Sequence, residues 1–171
     1  AEHRKQAHTV VHEFMESKVL GEAGSKLVIE QFLEGEEASF HVFTDHATFQ
    51  PMVAAQDHKR RFDNDEGPNT GGMGAYSVDT ILSSQQYDAV LNQIIRPTLQ
   101  ASPSYSGILF AGLMLTDEGP KLLEYNARFG DPETQVILSR LKTDLLDVLV
   151  DIAEHRLGSR VLEWRQEAAA T

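Results

Sequence analysis

The chain contains no cysteine, which rules out disulfide staples and thiolate metal sites and leaves the compartment only weakly marked. It has no apolar run of the about 18 residues that a membrane-spanning helix needs. Its opening stretch, AEHRKQAHTVVHEF, lacks the apolar core of a signal peptide. No membrane partner and a cytoplasmic location are the expectations. Positive charge is scarce: 15 Lys and Arg stand against 26 Asp and Glu, a formal net charge of −11. A broad nucleic-acid or anionic-membrane surface needs positive potential, so nucleic acid is excluded as an expected partner. A local basic cluster around one phosphorylated small molecule remains open. No Gly-x-Gly-x-x-Gly follows a strand and no Gly-Lys-Ser/Thr occurs, so dinucleotide and P-loop folds are unsupported. Among the seven histidines no pair has a convincing zinc spacing; His3, His8 and His12 fall on a charged helix and are expected to face solvent.

What is present suits a globular protein. Hydrophobic residues make up 41% and charged ones 24% of the 171 residues, enough for one ordinary domain or two small lobes sharing a site. Ala7, Val10, Val11 and Phe14 recur at helical spacing, which predicts an amphipathic helix over about residues 3–20, closed by Gly21 and Gly24. Strands are expected over Lys26–Leu33, Glu37–Thr44 and Thr48–Ala55, the last an edge or bulged strand because of Pro51. From Gln56 to Tyr76 no periodicity survives, and a loop of about 20 residues inside a compact domain tends to be functional or disordered. Ser83 or Ser84 can cap a helix whose Tyr87, Val90, Leu91, Ile94, Ile95 and Leu99 form one stripe, with Pro97 in a bent last turn or just past its end. Ile108–Thr116, nearly unbroken apolar, reads as a central strand. A turn at Asp117–Gly119 then leads into a Lys121–Asn126 strand as an antiparallel hairpin. Helices are expected over 133–141 and 144–157. The tail after Gly158, with the lone Trp164, has no legible pattern. Antiparallel strand groups with helices to one side make the fold class α+β.

Three stretches carry candidate chemistry. In LLEYNARFGDPE, alternation along a strand projects Glu124, Asn126 and, if the strand persists, Arg128 to one face. A carboxylate and an amide oxygen side by side can ligate a hard cation, and a guanidinium beside them suits a phosphate or carboxylate. The plainer alternative is a strand end with a solvated acid paired to Arg128. In QDHKRR, Lys59, Arg60 and Arg61 follow Asp57 and His58, and GPNTGGMG comes soon after. Such a pair is either a solvated charge run with a flexible loop or a lid, since glycines let N–H groups converge on an anion while the cations supply charge. In IEQFLEGEE, an extended Glu30–Leu33 segment could pair with a purine edge, with an acid near for ribose hydroxyls.

VIEQFLEGEEAS, AQDHKR, GPNTGGMGAYS, GILFAGLML and LLEYNARFGDPETQ, in this order and spacing, resemble the glycinamide ribonucleotide synthetase family (phosphoribosylamine–glycine ligase), ATP-grasp enzymes of purine synthesis. The likeness covers about residues 22–157, and the Arg128–Glu133 string is its most specific part. It implies the C-terminal lobe of an ATP-grasp fold, an antiparallel sheet with helices packed on it. Mg²⁺, or Mn²⁺ in its place, would be held by Glu124 and Asn126. The Glu30 carbonyl and Leu33 N–H would hold adenine, and Glu37 the ribose. Asp57, His58 and Arg60 with Asn69, Gly71, Gly72 and Gly74 would close over the phosphates and substrate. Arg128, Asp131 and Lys59 would act in catalysis, positioning acceptor and acyl phosphate. The implied partners are ATP, glycine and 5-phosphoribosylamine.

Members of that family carry a preceding domain, a lobe with a phosphate-contacting lysine and a small following domain, none of which is legible here. Residues 1–158 are therefore expected to form a partial ATP-grasp domain and 159–171 a tail toward a missing C-terminal domain, inactive alone. The rival readings are a different ATP-grasp ligase or carboxylase with another acceptor, and a truncated lobe serving as a folding or interaction module.

Overall fold

Alternation over Glu36–Asp45 (EEASFHVFTD) sends Ala38, Phe40 and Val42 to one side and Ser39, His41 and Phe43 to the other. In the computed structural model, which describes residues 3–171, both sides are used. This strand, β1, lies inside an antiparallel sheet with β2 (Phe49–Pro51), β7 (Ser106–Thr116) and β8 (Gly119–Asn126), in the order β2-β1-β7-β8. One face packs Ala38, Phe40, Val42, Leu109, Ala111 and Leu113 against Val90, Ile94 and Ile95 of a covering helix. Each large apolar side chain buried this way stabilises the fold by about 1.5–3 kcal/mol. The opposite face starts apolar, where Phe43 meets Val136 and Ile137 of α4 (Glu133–Arg140) and Val148 and Ile152 of α5 (Leu145–Ala153). Toward the start of β1 that same face turns polar, and there the site is built. An α+β architecture with an antiparallel sheet is thus observed.

The chain divides into two compact units, Ala1–Phe32 and Leu33–Thr171. In the first, α1 (Arg4–Val11) runs on as a π-helical turn over His12–Glu16, and His3, His8 and His12 are exposed as expected. The strand expected over Lys26–Leu33 does not form. Val28, Ile29 and Phe32 are 85%, 84% and 73% exposed. A strand persists only where a neighbour takes its N–H and C=O groups, and among the described residues no strand pairs with this segment.

Within the second unit the covering helix is one rod in three parts: α2 (Ser84–Ala89), a π-helical stretch Val90–Ile95, and α3 (Arg96–Ala101). Ser83 and Gln86 form a reciprocal capping box. Pro97 sits inside the rod rather than at its end. The i to i−5 bond from the Arg96 N–H to the Leu91 carbonyl widens the turn just before it, so the missing proline donor and its ring are accommodated. The expected Thr48–Ala55 strand is shortened to β2, because Pro51 lacks a ladder donor; Ala55 instead bridges Ser39 in both directions at 2.8 and 3.0 Å.

The stretch without periodicity is ordered as β3 (Gln56–Asp57), β4 (Arg60–Phe62), β5 (Glu66–Asn69) and β6 (Ala75–Ser77). β4 and β5 form a hairpin, and β3 pairs with β6. Strands of two to four residues are shorter than the window in which alternation can be read. The tail likewise has structure: β9 (Ala169–Ala170) pairs with β6, and Trp164 bridges Leu141. Among the described residues no helix is long and apolar enough to cross a membrane.

Candidate functional site

Directly opposed residues of antiparallel strands show their side chains on the same face. The register Ser39↔Gly112↔Glu124 and His41↔Phe110↔Asn126 therefore lines up Ser39, His41, Phe110, Glu124 and Asn126 on the polar side of the sheet, with Glu37 one step further along β1. A bulge at Gly112/Leu113 adds a residue to β8, which re-aims the strand end locally. Gly112 leaves room for Glu124 to lie across β7: a Cβ there would stand 3.3 Å from Glu124 Cγ. Asn126 Nδ2 donates to Glu124 Oε1 at 3.2 Å, so the two expected ligands do share a face. Among the described residues no group of three or more His, Cys, Asp or Glu could enclose a metal by itself. Two oxygen donors side by side fit instead a hard cation such as Mg²⁺, which keeps most of its shell from phosphate oxygens and water.

The turn after β8 is pinned to β1 from below. The Gly130 N–H donates to His41 Nε2 at 3.1 Å, and the Ser39 hydroxyl donates to Glu133 Oε1 at 2.6 Å. His41 is fully buried and stacked on Phe110 at 4.2 Å. Burial, and then the Arg128 charge, hold its pKa down at about 3, so it is a neutral acceptor at Nε2 and carries its proton on Nδ1. That Nδ1 has no partner among the described residues. Gly130 is demanded by contact: a Cβ would stand 2.4 Å from Glu133 Oε2 and 3.1 Å from His41 Nε2. The Asp131–Pro132 peptide is cis. Asp131 Oδ1 accepts from Gln135 Nε2 at 3.0 Å, and the exposed Arg128 donates to the Phe129 carbonyl at 2.8 Å.

The basic cluster and the glycine-rich loop meet as two sides of one hairpin. The His58 N–H reaches the Gly74 carbonyl at 2.8 Å, the Met73 N–H reaches the His58 carbonyl at 3.0 Å, and the Thr70 N–H reaches the Lys59 carbonyl at 2.7 Å. Arg60 opposes Asn69. Lys59 Nζ pairs with Glu37 Oε2 at 2.6 Å. Burial pulls the Lys59 ammonium down, but the bond to Glu37 and the nearby Glu37, Asp57 and Glu133 charges leave it above its usual range. Burial first, then the Glu133 charge, push Asp57 up to about 6, with Glu37 adding and Lys59 and His58 opposing. Asp57 Oδ1 has no partner among the described residues and lies behind Gly72, where a Cβ would stand 3.1 Å from it and 2.8 Å from Pro132 Cδ. Gly71, Gly72, Met73 and Gly74 face Asp131, Pro132 and Thr171 across a cavity of about 230 Å³.

Glu37, Asp57, Lys59, Gly71, Gly72, Gly74, Glu124, Asn126 and Asp131 are thus distributed over the polar sheet face and the cavity beside it. Arg60 instead donates to the Gly67 carbonyl at 2.7 Å within its own hairpin, and His58 and Asn69 are exposed on it. Glu30 belongs to the first unit, and neither Glu30 nor Leu33 lies in a strand. Sequence reasoning assigned nothing to Ser39, His41 and Glu133, the buried groups that set the turn. A polar pair, Ser39 and His41, alternating inside an apolar strand was the readable signal.

A family model described as phosphoribosylglycinamide synthetase, ATP-grasp (A) domain, matches residues 1–134. The phosphoribosylamine–glycine ligase of Halalkalibacterium halodurans is 48% identical over 168 residues, covering 96% of this chain and 39% of that protein. The ligase of the same name from Mesorhizobium japonicum is 50% identical over 155 residues, covering 88% and 36%. The crystal structure of phosphoribosylamine–glycine ligase from Thermotoga maritima, 29% identical, aligns with a TM-score of 0.76 over 95% of this chain and 42% of that one. The chain spans well under half the length of these relatives.

Proposed function

The chain belongs to the phosphoribosylglycinamide synthetase ATP-grasp family, and from that premise we propose that it supplies the metal- and nucleotide-holding part of a cytoplasmic ligase that joins glycine to 5-phosphoribosylamine, converting ATP to ADP and phosphate. The observation that carries this reading is the Glu124/Asn126 pair on the polar face of the sheet, beside the Lys59–Glu37 ion pair. Glu124 and the Asn126 Oδ1 would hold Mg²⁺, for which Mn²⁺ can substitute. The cation's contribution is to neutralise negative charge on the phosphates as the phosphoryl group moves.

The chain's own residues do the rest. The Leu33 N–H takes the purine edge. Glu37 accepts from the ribose hydroxyls, and in doing so it releases the Lys59 ammonium toward the phosphates. The glycine carboxylate attacks the γ-phosphorus and ADP leaves. The sugar amine then attacks the carbonyl carbon of the glycyl phosphate, loses a proton and expels phosphate. Arg128 and Asp131 flank that step, and the Gly71–Gly74 loop keeps water from the mixed anhydride. Since the match to the Halalkalibacterium ligase covers 39% of that protein, these chemical steps are proposed for the whole enzyme. For this chain the proposal is binding of metal and nucleotide.

A thermal-shift titration tests it. A ligand bound only by the folded state adds about 2.7 kcal/mol at a hundred times Kd, so Mg²⁺–ATP should raise the melting temperature. The Glu124→Ala/Asn126→Ala double variant should lose that rise. Equal shifts in both proteins would remove the metal from this pair.

A further inference from the structure

Arg140 is 1% exposed, at the far end of the helix whose first residue is Glu133. Seven positions apart, the two lie on the same face of α4. At the start of the helix, the Glu133 carboxylate accepts from Ser39 on the sheet. At the end, the Arg140 guanidinium makes four donations. Nη1 goes to the Ser77 hydroxyl at 2.9 Å, Nη2 to Asp79 Oδ1, and Nε and Nη2 to the Arg165 carbonyl at 3.3 and 3.1 Å. The backbone repeats the connection: the Arg165 N–H donates to the Arg140 carbonyl at 2.7 Å, and the Lys142 N–H to the Glu163 carbonyl at 2.9 Å.

Two of the three groups Arg140 grips, the Ser77 hydroxyl and the Arg165 carbonyl, lead to the glycine-rich loop. Ser77 ends β6, the strand into which that loop runs, and the segment after Arg165 returns as β9 beside β6. There the Thr171 N–H donates to the Ala75 carbonyl at 2.9 Å. The Thr171 carbonyl lies so close to Gly74 that a Cβ would be 2.5 Å away. Thr171 thereby forms one wall of the cavity whose other walls are the loop and the Asp131–Pro132 turn. That turn leads directly into α4. The three walls are therefore joined through one helix and one guanidinium.

We propose that Arg140 is a positioning residue for the glycine-rich loop, acting through the 163–171 segment, which is a working wall of the site. Four donations from a planar fork suit this task, because a fork fixes angles as well as distances. Among the described residues, no other side chain donates to the carbonyl of Arg165 or the hydroxyl of Ser77. Losing the fork frees the tail strand and with it the loop, while the β1–β7 core is untouched.

Amide hydrogen exchange on the 171-residue chain distinguishes positioning from general stabilisation. In Arg140→Met, which removes the donors without leaving a buried charge, exchange of the Met73 and Thr171 amides should rise about tenfold. Exchange at Phe40 and Ala111 in the core strands should change less than about twofold. Asp79→Asn, at a side chain that is 55% exposed, should give a smaller rise at the same two amides and serves if Arg140→Met folds poorly. An equal rise in the core, or no rise at Met73 and Thr171, would overturn the inference.

A second arm rests on the ligase reading. Ribose 5-phosphate, a stable stand-in for the amine acceptor, should bind Arg140→Met about tenfold more weakly. If ribose 5-phosphate binds neither protein, the reading that the glycine-rich loop closes over the substrate fails, and the exchange arm still decides the role of Arg140.

Discussion

Replacing Gly130 by alanine puts a methyl group where the site has no space for one. The new Cβ would stand 2.4 Å from Glu133 Oε2 and 2.7 Å from Glu133 Cδ. Glu133 is 2% exposed, so its carboxylate cannot swing into water to relieve the clash. It must leave the Ser39 hydroxyl, which it holds at 2.6 Å. Hydrogen bonds to charged groups contribute about 1.5–3 kcal/mol, and the neutral Gly130 N–H to His41 bond about 1 kcal/mol. The restricted unfolded chain of an alanine variant offsets about 0.4–1 kcal/mol of that. A net loss of about 2–3 kcal/mol follows, read as a lower urea midpoint with an unchanged slope. A double-mutant cycle sharpens the test. Once the added methyl of Gly130→Ala has displaced Glu133, Ser39→Ala should cost less than it does in the native background, by about 1 kcal/mol or more. A Gly130→Ala protein within about 0.5 kcal/mol of the native one, or additive effects in the cycle, would refute the contact as the reason for the glycine.

Asp57 should make stability depend on pH in a specific direction. Its folded pKa of about 6 lies above the ordinary 3.8, so the folded state binds the proton more tightly. The associated stability is fully present below about pH 4 and is lost as pH rises through 6. Asp57→Asn cannot ionise, so its stability relative to the native chain should climb between those limits and level off above. The groups facing Asp57 are Glu133, Lys59, Glu37 and His58, and a difference curve of opposite slope would show that Lys59 dominates instead. Ser83→Ala removes one half of the capping box at the start of α2. It should lower stability by about 1 kcal/mol while leaving Mg²⁺–ATP binding unchanged, which equilibrium unfolding and a ligand titration can check.

The elements that were legible in advance are those whose pattern outlasts a few residues. β1, β7, β8 and the Val90–Ile95 stripe announce themselves through alternation or helical spacing, and the pairing of Glu124 with Asn126 follows from a two-residue step on a strand. Two kinds of feature were not legible. Lys26–Leu33 has strand composition, yet strand formation depends on a partner, and local sequence does not record whether one is present. The β3–β6 region and β9 consist of two to four residues each, held by contacts distant in sequence such as Tyr76 with Ala170. The role of Glu133 was hidden for a related reason. A glutamate after Asp-Pro looks like a helix-start acid, and only the fold brings Ser39, 94 positions away in the chain, to its carboxylate.

The polar end of the β1–β7–β8 face is proposed to hold a metal-bound nucleotide at Glu124 and Asn126. Substituting paramagnetic Mn²⁺ for Mg²⁺ in the presence of ATP reports the cation's position, because it broadens amide resonances nearest to it. Broadening should centre on Glu124 and Asn126 and on their cross-strand neighbours Gly112 and Phe110, and should disappear in Glu124→Ala/Asn126→Ala. Broadening centred elsewhere, for instance on the acidic start of α5 at Asp144 and Asp147, or unchanged in the double variant, would contradict it.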